Sequence, residues 1–276
     1  MCAGTESGVN FADRTAVVTG AASGIGRALA IALAERHCHL ALADIDADGL
    51  SGTGRLIENR AVNVSLHELD VADPIAVAAM PDAVAQRHSR VDLLFNNAGV
   101  AIGGFFEEVS EEDFRWLFDI NFWGVVRMSR AFLPVLRQSD AARIVNISSL
   151  FGLISPPGQA AYSASKFAVR GFSNALRCEL EGSTVGVTVV HPGGVATSIA
   201  RNARKSHGKS AAEVELTLAR VEKLLRMPPQ DAAEIIVKGV ARGKARIMVG
   251  MDAKLGSLIE RLMPVSYWSL LGRGLR

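Results

Sequence analysis

The segment "TGAASGIG" (Thr19–Gly26) joins a short apolar run to a helical pattern, and it decides how the rest of the chain is interpreted. Before it, "TAVVT" (Thr15–Thr19) is brief and β-branched, which predicts a strand. Gly20 would allow a tight turn, and Gly24 and Gly26 would leave room for a pyrophosphate at the N-terminus of the following helix. A glycine triplet alone is a weak signal. Between a first strand and a first helix it favours a dinucleotide site over a ligand-free helix cap.

Short apolar runs and helical patterns alternate from this segment to about residue 250. The runs lack polar alternation, which is typical of strands buried on both faces of a parallel sheet. The pattern predicts an α/β fold with a seven-stranded parallel sheet and helices on both faces. The strands are expected at Thr15–Thr19, Leu40–Asp44, Val64–Val71, Val91–Asn96, Arg143–Ser148, Val185–Val190 and Arg246–Gly250.

The connections are expected to be helical, and the longest helix is expected over Glu111–Arg137, with Ser110 and Asp113 at its start. The sequence contains no internal repeat and no low-complexity linker, so residues 1–276 are predicted to form a single domain.

Composition excludes several classes of protein. The net charge is +2 over 276 residues, which is too small to indicate nucleic-acid binding. Cys2, Cys38 and Cys178 form neither a metal-binding spacing nor a dense disulfide framework, so we expect no metal and a reducing, cytoplasmic compartment. The N-terminus does not read as a signal peptide, and no run of about 18 uncharged apolar residues predicts a membrane span.

Polar residues end the second, third and fourth predicted strands. An acid at Asp44 can accept hydrogen bonds from ribose hydroxyls and would repel a 2′-phosphate, which favours NAD over NADP. Arg27 could weaken that preference, but we expect it to point down the helix. Asp70 and Val71 could border an adenine, and "NNAG" (Asn96–Gly99) could let the chain pass close to a cofactor. For Asn97, a structural role without ligand contact is nearly as well supported.

Six motifs then occur in order and at fitting intervals, and together they resemble the short-chain dehydrogenase/reductase family over about Phe11–Gly250. They are "TGAASGIG", "NNAG", Asn121, "ISS" (Ile147–Ser149), "YSASK" (Tyr162–Lys166) and "PGGVAT" (Pro192–Thr197). The resemblance implies a Rossmann-type, doubly wound domain, a nicotinamide cofactor, interconversion of an alcohol and a ketone, and a homodimer or homotetramer.

The resemblance also implies roles for individual residues. Tyr162 would transfer the proton, Lys166 would tune it, Ser149 would bind the substrate oxygen and Asn121 would support a water relay. Phe151 and Gly194 are assigned to the substrate, and no residue to a metal. The residues expected to bind the cofactor are Gly20, Ser23, Gly24, Ile25, Gly26, Asp44, Asp70, Val71, Asn97, Ala98, Gly99, Tyr162, Lys166, Pro192, Gly193, Val195 and Thr197.

The chemistry explains why these side chains are needed. Tyr162 and Lys166 are four residues apart and share a helix face, so an ammonium can stabilise the phenolate. Lowering a phenol pKa from about 10 to near 7 requires about 4 kcal/mol, which two nearby cations can supply.

Ser148 is the alternative to Ser149 as the serine of the site. Neighbouring strand residues point to opposite faces of the sheet, so only one of the two can face the site. Asn121 could instead be a buried amide satisfied by backbone, and His191 is interpreted as structural.

Substrate and partners are less determined. Apolar residues after the strand ends indicate a lipophilic alcohol or ketone: Gly103, Phe105, Phe151, Leu153 and Ile154. A lid is expected at about 198–225, where the basic residues Arg201, Arg204, Lys205 and Lys209 favour a solvated flexible face over an anionic substrate. The amphipathic tail at about 255–276 is expected to pack on a neighbouring subunit or on the pocket, rather than on a membrane. The alternatives to an NAD-dependent dehydrogenase are an NADP-dependent ketone reductase and a nucleotide-sensing binding protein.

Overall fold

A central sheet of seven parallel strands organises the chain. The computed structural model describes residues 8–205, 215, 218–219 and 221–272. The strand order is β3-β2-β1-β4-β6-β7-β9, and a separate parallel pair joins β5 to β8. The strands are β1 (Thr15–Thr19), β2 (His39–Asp44), β3 (Val64–Glu68), β4 (Leu93–Asn96), β5 (Ile102–Gly103), β6 (Ala142–Ile147), β7 (Val185–Pro192), β8 (Arg204–Lys205) and β9 (Arg246–Val249).

Helices connect the strands and cover both faces of the sheet. They are α1 (Gly24–Ala34), α2 (Ala47–Ile57), α3 (Pro74–Ala85), α4 (Glu111–Phe118), α5 (Gly124–Leu136), α6 (Ala160–Glu179), α7 (Pro229–Ala241), α8 (Met251–Leu262) and α9 (Tyr267–Leu271). A π-helical turn at Asp119–Trp123 separates α4 from α5, and short 3₁₀ turns occupy Phe106–Glu108 and Leu150–Gly152.

Two apolar layers explain why the central strands show no alternation. On one face, Leu29 of α1 and Ile236 of α7 share a cluster with Phe95. On the other, Val84 of α3 and Phe132 of α5 share a cluster with the neighbouring residue Leu94. Because successive strand residues point to opposite faces, both must be apolar. The predicted Rossmann-type, doubly wound seven-stranded sheet is therefore confirmed.

The order of the strands creates a crevice. The chain runs outward from β1 through β2 to β3, then returns to place β4 on the other side of β1. Helix α1, which follows β1, and helix α5, on the connection after β4, pack on opposite faces of the sheet, which leaves a crevice at the carboxyl ends of the strands where ligands bind in sheets of this kind.

Three differences from the prediction concern local geometry. The helix predicted over Glu111–Arg137 is broken by the π turn, whose wider hydrogen bonding has no signature in apolar periodicity. The tail folds into α8 and α9, and the pair β5–β8 consists of strands of only two residues each. Such short strands carry too little pattern to be predicted.

A buried carboxylate ties together the amino ends of three strands. Asp92, fully buried before β4, accepts hydrogen bonds from Arg14 (2.9 Å), from the N–H of Thr15 (3.0 Å) and from Ser139 (2.6 Å). Asp140 pairs with the same Arg14 at 3.0 Å, but its side chain is 70% exposed. Of the two carboxylates that bind Arg14, Asp92 is therefore the one that is buried away from solvent.

We expect Asp92→Ala to lower the free energy of unfolding by about 3 kcal/mol, since it leaves a partly buried guanidinium and a buried hydroxyl without their shared acceptor. Urea denaturation measures the change. Asp140→Ala is the matched control and should cost much less, because solvent screens its pair. Equal losses in the two variants would contradict this account of the network.

Candidate active site

The residues predicted to form the site all follow the carboxyl ends of strands. They lie on the connections after β1, β2, β3, β4, β6 and β7, and on the helices α1 and α6 and the π turn that these connections lead into. In a parallel sheet these ends meet at one edge, so residues far apart in sequence are brought together there.

The glycine loop after β1 is built for close backbone contact. Gly20 has a positive φ of 66° and packs against Asn97 and Ala98, and a Cβ at Gly26 would overlap the carbonyl oxygen of Gly20. At the start of α1 the Ser23 side chain makes no capping hydrogen bond, and the first turn contains no acid, among the residues described. The N–H groups of α1 are therefore left for an anion.

Thr19 and Asn97 fasten the loops after β1 and β4 to each other. The Thr19 hydroxyl accepts the N–H groups of Asn97 and Ala98, both at 3.0 Å. The Asn97 amide donates to the carbonyl oxygens of Thr19 (2.9 Å) and Gly20 (3.1 Å). Thus the Asn97 side chain has the structural role that the sequence left open. Thr19 is one of two residues that the sequence did not point to, since it carries only the weak signal of a hydroxyl at a strand end.

Asp44 lies where an acid for the adenosine ribose was predicted. Its carboxylate accepts the N–H of Ala22 in the glycine loop (2.8 Å) and of Asp46 (3.1 Å). The side chain is half-buried, and an ionised carboxylate retains lone pairs for further donors.

The expectation for Arg27 is wrong. Its guanidinium does not point down α1 but turns back, donating to the carbonyl oxygen of Ala22, to that of Gly49 (3.2 Å) and to the Thr53 hydroxyl (3.0 Å). The carbonyl oxygens of Ala22 and Gly49 are acceptors within its reach, and a charged donor forms strong hydrogen bonds with them. Arg27 therefore joins the glycine loop to α2.

The two residues after β3 differ in exposure. Asp70 is exposed and accepts the N–H of Ala72 at 2.8 Å, while Val71 is buried and packs under Gly124. Only one of the two carboxylate oxygens of Asp70 is used within this turn.

The two serines after β6 face in opposite directions, as the pleat requires. Ser148 is buried and donates to the carbonyl oxygen of Lys166 at 2.9 Å. Ser149 is half-buried and accepts the N–H of Phe151 at 3.1 Å, and its hydroxyl is near enough to Tyr162 to lower the pKa of the phenol. Ser149, not Ser148, is therefore the serine beside the phenol.

His191 supports Ser149 from behind. Its Nδ1 lies 2.9 Å from the carbonyl oxygen of Ser149, and since a carbonyl only accepts, Nδ1 carries the proton. The ring is fully buried, and this burial lowers the pKa of His191 to about 4. The imidazole is thus neutral at physiological pH and holds the serine in place.

Tyr162 and Lys166 share the inner face of α6. The Lys166 Nζ lies 5.7 Å from the centre of the Tyr162 ring and donates to the carbonyl oxygen of Ile147 at 3.2 Å. Burial lowers the pKa of Lys166 to about 8. Burial also raises the pKa of Tyr162, and the nearby Ser149 hydroxyl opposes that rise only partly. The lowered phenol pKa expected from the sequence is therefore not a property of these side chains alone.

Asn121 is held inside the π turn. Its amide oxygen accepts the N–H of Val100 (2.8 Å), and its amide nitrogen donates to the carbonyl oxygen of Val100 (2.9 Å) and to Ser165 (3.2 Å). The side chain is the buried, backbone-satisfied amide that the sequence allowed as an alternative. The π turn places Asn121 near the loop after β4, since a Cβ at Gly99 would lie near both Asn121 Oδ1 (3.1 Å) and Lys166 Nζ (3.3 Å).

The turn after β7 closes the site from the other side. Thr197 reaches the glycine loop, since a Cβ at Gly24 would lie 3.1 Å from its methyl group. Gly194 donates its N–H to Asp252 of α8 at 2.6 Å, and its carbonyl oxygen accepts the N–H groups of Arg226 and Met227. Sequence analysis missed Asp252, whose only signal is an acid in the first turn of a helix.

The turn also includes three further residues assigned to the cofactor. Pro192 ends β7, Gly193 contacts the Asp252 carboxylate, and Val195 is buried opposite Met227.

Apolar side chains line the space next to the phenol. The Phe151 ring meets Tyr162 edge-on, with 6.1 Å between ring centres. Leu153 and Ile154, also expected near the substrate, are instead buried in protein contacts. Close by, Tyr267 of α9 accepts the N–H of Ser155 at 3.0 Å.

Ile25, which was assigned to the cofactor, is half-buried and packs against the apolar cluster that contains Leu29 of α1.

The described part of the predicted lid is not a free basic face. Arg204 is paired with Asp113 at 2.9 Å and stacks 3.6 Å above the Trp116 ring, and Arg201 is paired with Glu222. Lys209 lies outside the described residues, as do 206–214, 216–217 and 220 of the lid and 273–276 of the tail.

Comparison with known proteins gives consistent results. The family model described as short chain dehydrogenase matches residues 14–208. The chain is 46% identical over 269 residues to "Putative oxidoreductase SadH" of Mycobacterium tuberculosis, covering 96% of each protein. It is 37% identical over 186 residues to a 3-ketodihydrosphingosine reductase of Bacteroides thetaiotaomicron, covering 67% of this chain and 65% of that protein.

A solved structure is similar along nearly its whole length. The short-chain dehydrogenase/reductase of Burkholderia phymatum in complex with NAD superposes with a TM-score of 0.86 at 31% identity, covering 92% of this chain and 95% of the other. With the matched family model and the ordered residues of the site, these results show that the chain is an oxidoreductase that belongs to the short-chain dehydrogenase/reductase family.

Proposed function

We propose that this protein is an NAD-dependent oxidoreductase that interconverts a lipophilic secondary alcohol and its ketone. The observation that carries the proposal is the position of the Tyr162 phenol, beside Ser149 and close to the Lys166 ammonium, at the same sheet edge as the glycine loop. A proton donor and acceptor beside a dinucleotide site is what reversible oxidation of an alcohol requires.

The residues at the sheet edge fit a dinucleotide. The loop leaves no room for a Cβ at Gly20 or Gly26, and the α1 N-terminus presents N–H groups to a pyrophosphate. Asp44 would accept the adenosine ribose hydroxyls, and Thr197, next to Gly24, would contact the nicotinamide end. When bound, the oxidised nicotinamide supplies a hydride acceptor and a positive charge.

The chain's own residues would manage the proton. Ser149 would hold the substrate oxygen, and Tyr162 would take its proton in oxidation or return it in reduction. With its pKa near 8, Lys166 keeps its charge at neutral pH and favours the phenolate against the effect of burial. His191 would stay neutral and fix the serine, and the relay proposed for Asn121 would use its backbone, since its side chain is fully engaged.

The apolar ring of Phe151 beside the phenol supports a lipophilic substrate. The relative named for reduction of a 3-keto compound and the neighbour solved with NAD support the reaction class and the cofactor. An NADP-dependent ketone reductase and a nucleotide-sensing binding protein are the rivals. A homodimer or homotetramer in the cytoplasm remains our expectation from the sequence.

We expect Tyr162→Phe to lower kcat/KM by about 10²–10⁴-fold, because the proton has no acceptor, while NADH binding is retained. Activity is followed at the nicotinamide absorbance with a panel of alcohols and ketones. The matched control is the chain's other tyrosine, and Tyr267→Phe should lose less than about tenfold. An active Tyr162→Phe enzyme would falsify the role of the phenol. A wild-type protein that binds NADH but turns over no member of the panel would favour the binding protein.

We expect the wild-type protein to bind NADH more tightly than NADPH by about tenfold or more, because Asp44 repels a 2′-phosphate. Asp44→Ser should narrow that ratio mainly by improving NADPH binding. Fluorescence titration with each cofactor measures both affinities. Asp48→Asn, which removes an exposed acid from α2, is the control and should leave the ratio unchanged. Tighter NADPH binding by the wild type would establish the rival reductase.

The buried Lys166 gives a prediction for stability against pH. The pKa is about 8 in the folded protein against an ordinary 10.5, so the unfolded chain binds more protons between these values. Burying the ammonium therefore lowers the free energy of unfolding by its full amount below pH 8. This loss of stability disappears as the pH rises towards 10.5, because the lysine is then uncharged in the unfolded chain as well.

We expect Lys166→Met to be more stable than the wild type at pH 7 by about 1–3 kcal/mol, and this gap to close by pH about 10. Urea denaturation of both proteins at each pH gives the difference between their free energies of unfolding. The contributions of the other titrating groups are common to both proteins and cancel in this difference. A gap that is constant with pH would show that the ammonium is not desolvated.

A further inference from the structure

Helix α8 faces solvent with its apolar side. Met251, Leu255, Leu258 and Leu262 are 74%, 55%, 53% and 72% exposed, and their spacing of four, three and four residues places them in one stripe. Val265, 92% exposed, extends the stripe beyond the helix. Large apolar side chains exposed together mark a surface that meets something other than water.

The opposite side of α8 is small and already in contact with protein. Ala253 and Gly256 are its buried residues, and a Cβ at Gly256 would lie 2.7 Å from Leu150 of the turn after β6. This contact joins α8 to the turn that contains Leu150. It uses the small residues, however, and leaves the large ones of the stripe without a partner in the part of the chain that is described.

Two cations border the stripe on the same side. Lys254 and Arg261 are seven residues apart, so they lie one above the other on α8, and both are exposed. Neither forms an ion pair with any described residue. An apolar stripe with basic residues at its flank is the arrangement of helices that lie in the interface of an anionic membrane, where the cations bind lipid headgroups.

The same cations disfavour a second copy of the chain as the occupant. In a two-fold antiparallel pairing of α8, the flank that carries Lys254 and Arg261 would face the same flank of the partner. Like charges would then oppose each other across the apolar contact, with no acid on that flank to pair them. An anionic lipid surface has no such conflict.

The stripe is attached to the candidate active site. Asp252, in the first turn of α8, binds the N–H of Gly194 at 2.6 Å, and Gly194 also packs against the backbone of Leu224. The Leu224 side chain is also exposed, so a further apolar group lies on the surface at the turn that Asp252 holds.

We propose that α8 docks on anionic lipid bilayers, with Met251, Leu255, Leu258 and Leu262 in the interface and Lys254 and Arg261 on the headgroups. None of the helices in the described ranges is both long and apolar enough to cross a bilayer, so the contact is peripheral. If the proposed function holds, lipophilic substrate would reach the site from the membrane, but the docking itself does not depend on that function.

Co-sedimentation with vesicles tests the proposal, using pure phosphatidylcholine and phosphatidylcholine mixed with phosphatidylglycerol. The wild-type protein should bind the mixed vesicles more strongly, and added salt should weaken that binding. Lys254→Gln with Arg261→Gln should bind the mixed vesicles about 30-fold less tightly, with little change on the neutral ones. Leu255→Glu with Leu258→Glu should bind both kinds at least about tenfold less tightly.

The matched control replaces exposed apolar residues elsewhere, Leu56→Glu on α2 with Ile75→Glu on α3. It should bind vesicles like the wild type, and thermal melting should show all variants folded.

The proposal is overturned if the wild type does not bind anionic vesicles, if the α8 variants bind as the wild type does, or if the control variant loses binding equally. It is also overturned if light scattering shows that Leu255→Glu with Leu258→Glu dissociates an oligomer while vesicle binding stays unchanged, since the stripe would then be an interface between copies.

Discussion

The close contact between the loops after β1 and β4 is the constraint on which the site depends. It is made by backbone, because Gly20 rests on Ala98 and Gly26 leaves no room for a Cβ, and by the exchange of hydrogen bonds between Thr19 and Asn97. Gly99, which follows directly, lies beside both Asn121 and Lys166. The glycine loop and the surroundings of Lys166 are thus held by one set of contacts.

Burial then decides the electrostatics of the site. Lys166 and His191 are buried and Tyr162 is half-buried, and for each the uncharged form is favoured. For His191 this removes any acid–base role at neutral pH. Lys166 still keeps its charge at neutral pH, while the raised pKa of Tyr162 leaves the phenol protonated, so forming the phenolate requires more positive charge than these side chains supply.

The carboxyl-terminal helices bring together two loops that the sheet alone leaves separate. Asp252 holds the turn after β7, while Gly256 and Tyr267 contact the segment that follows Ser149. The carboxyl-terminal helices therefore contact both the segment that follows Ser149 and the turn before Thr197. The outer face of α8 is the apolar stripe, so a surface bound by α8 would lie close to the candidate site.

The sequence by itself determined the strand pattern, the parallel sheet and the order of the site motifs. Those features depend on local composition, on apolar runs and on glycines at strand ends, which can be read from neighbouring residues. Which serine faces the phenol also followed from the pleat together with the spacing in the family.

Only the tertiary structure decided the partners of Asn97, Asn121 and Arg27, the shift of the Tyr162 pKa and the part played by Asp252. These depend on which backbone groups and how much protein lie around a side chain, and such neighbours come from segments distant in sequence. The sequence likewise showed an amphipathic tail. Only packing could decide that the small residues of α8 turn inward and the large ones outward.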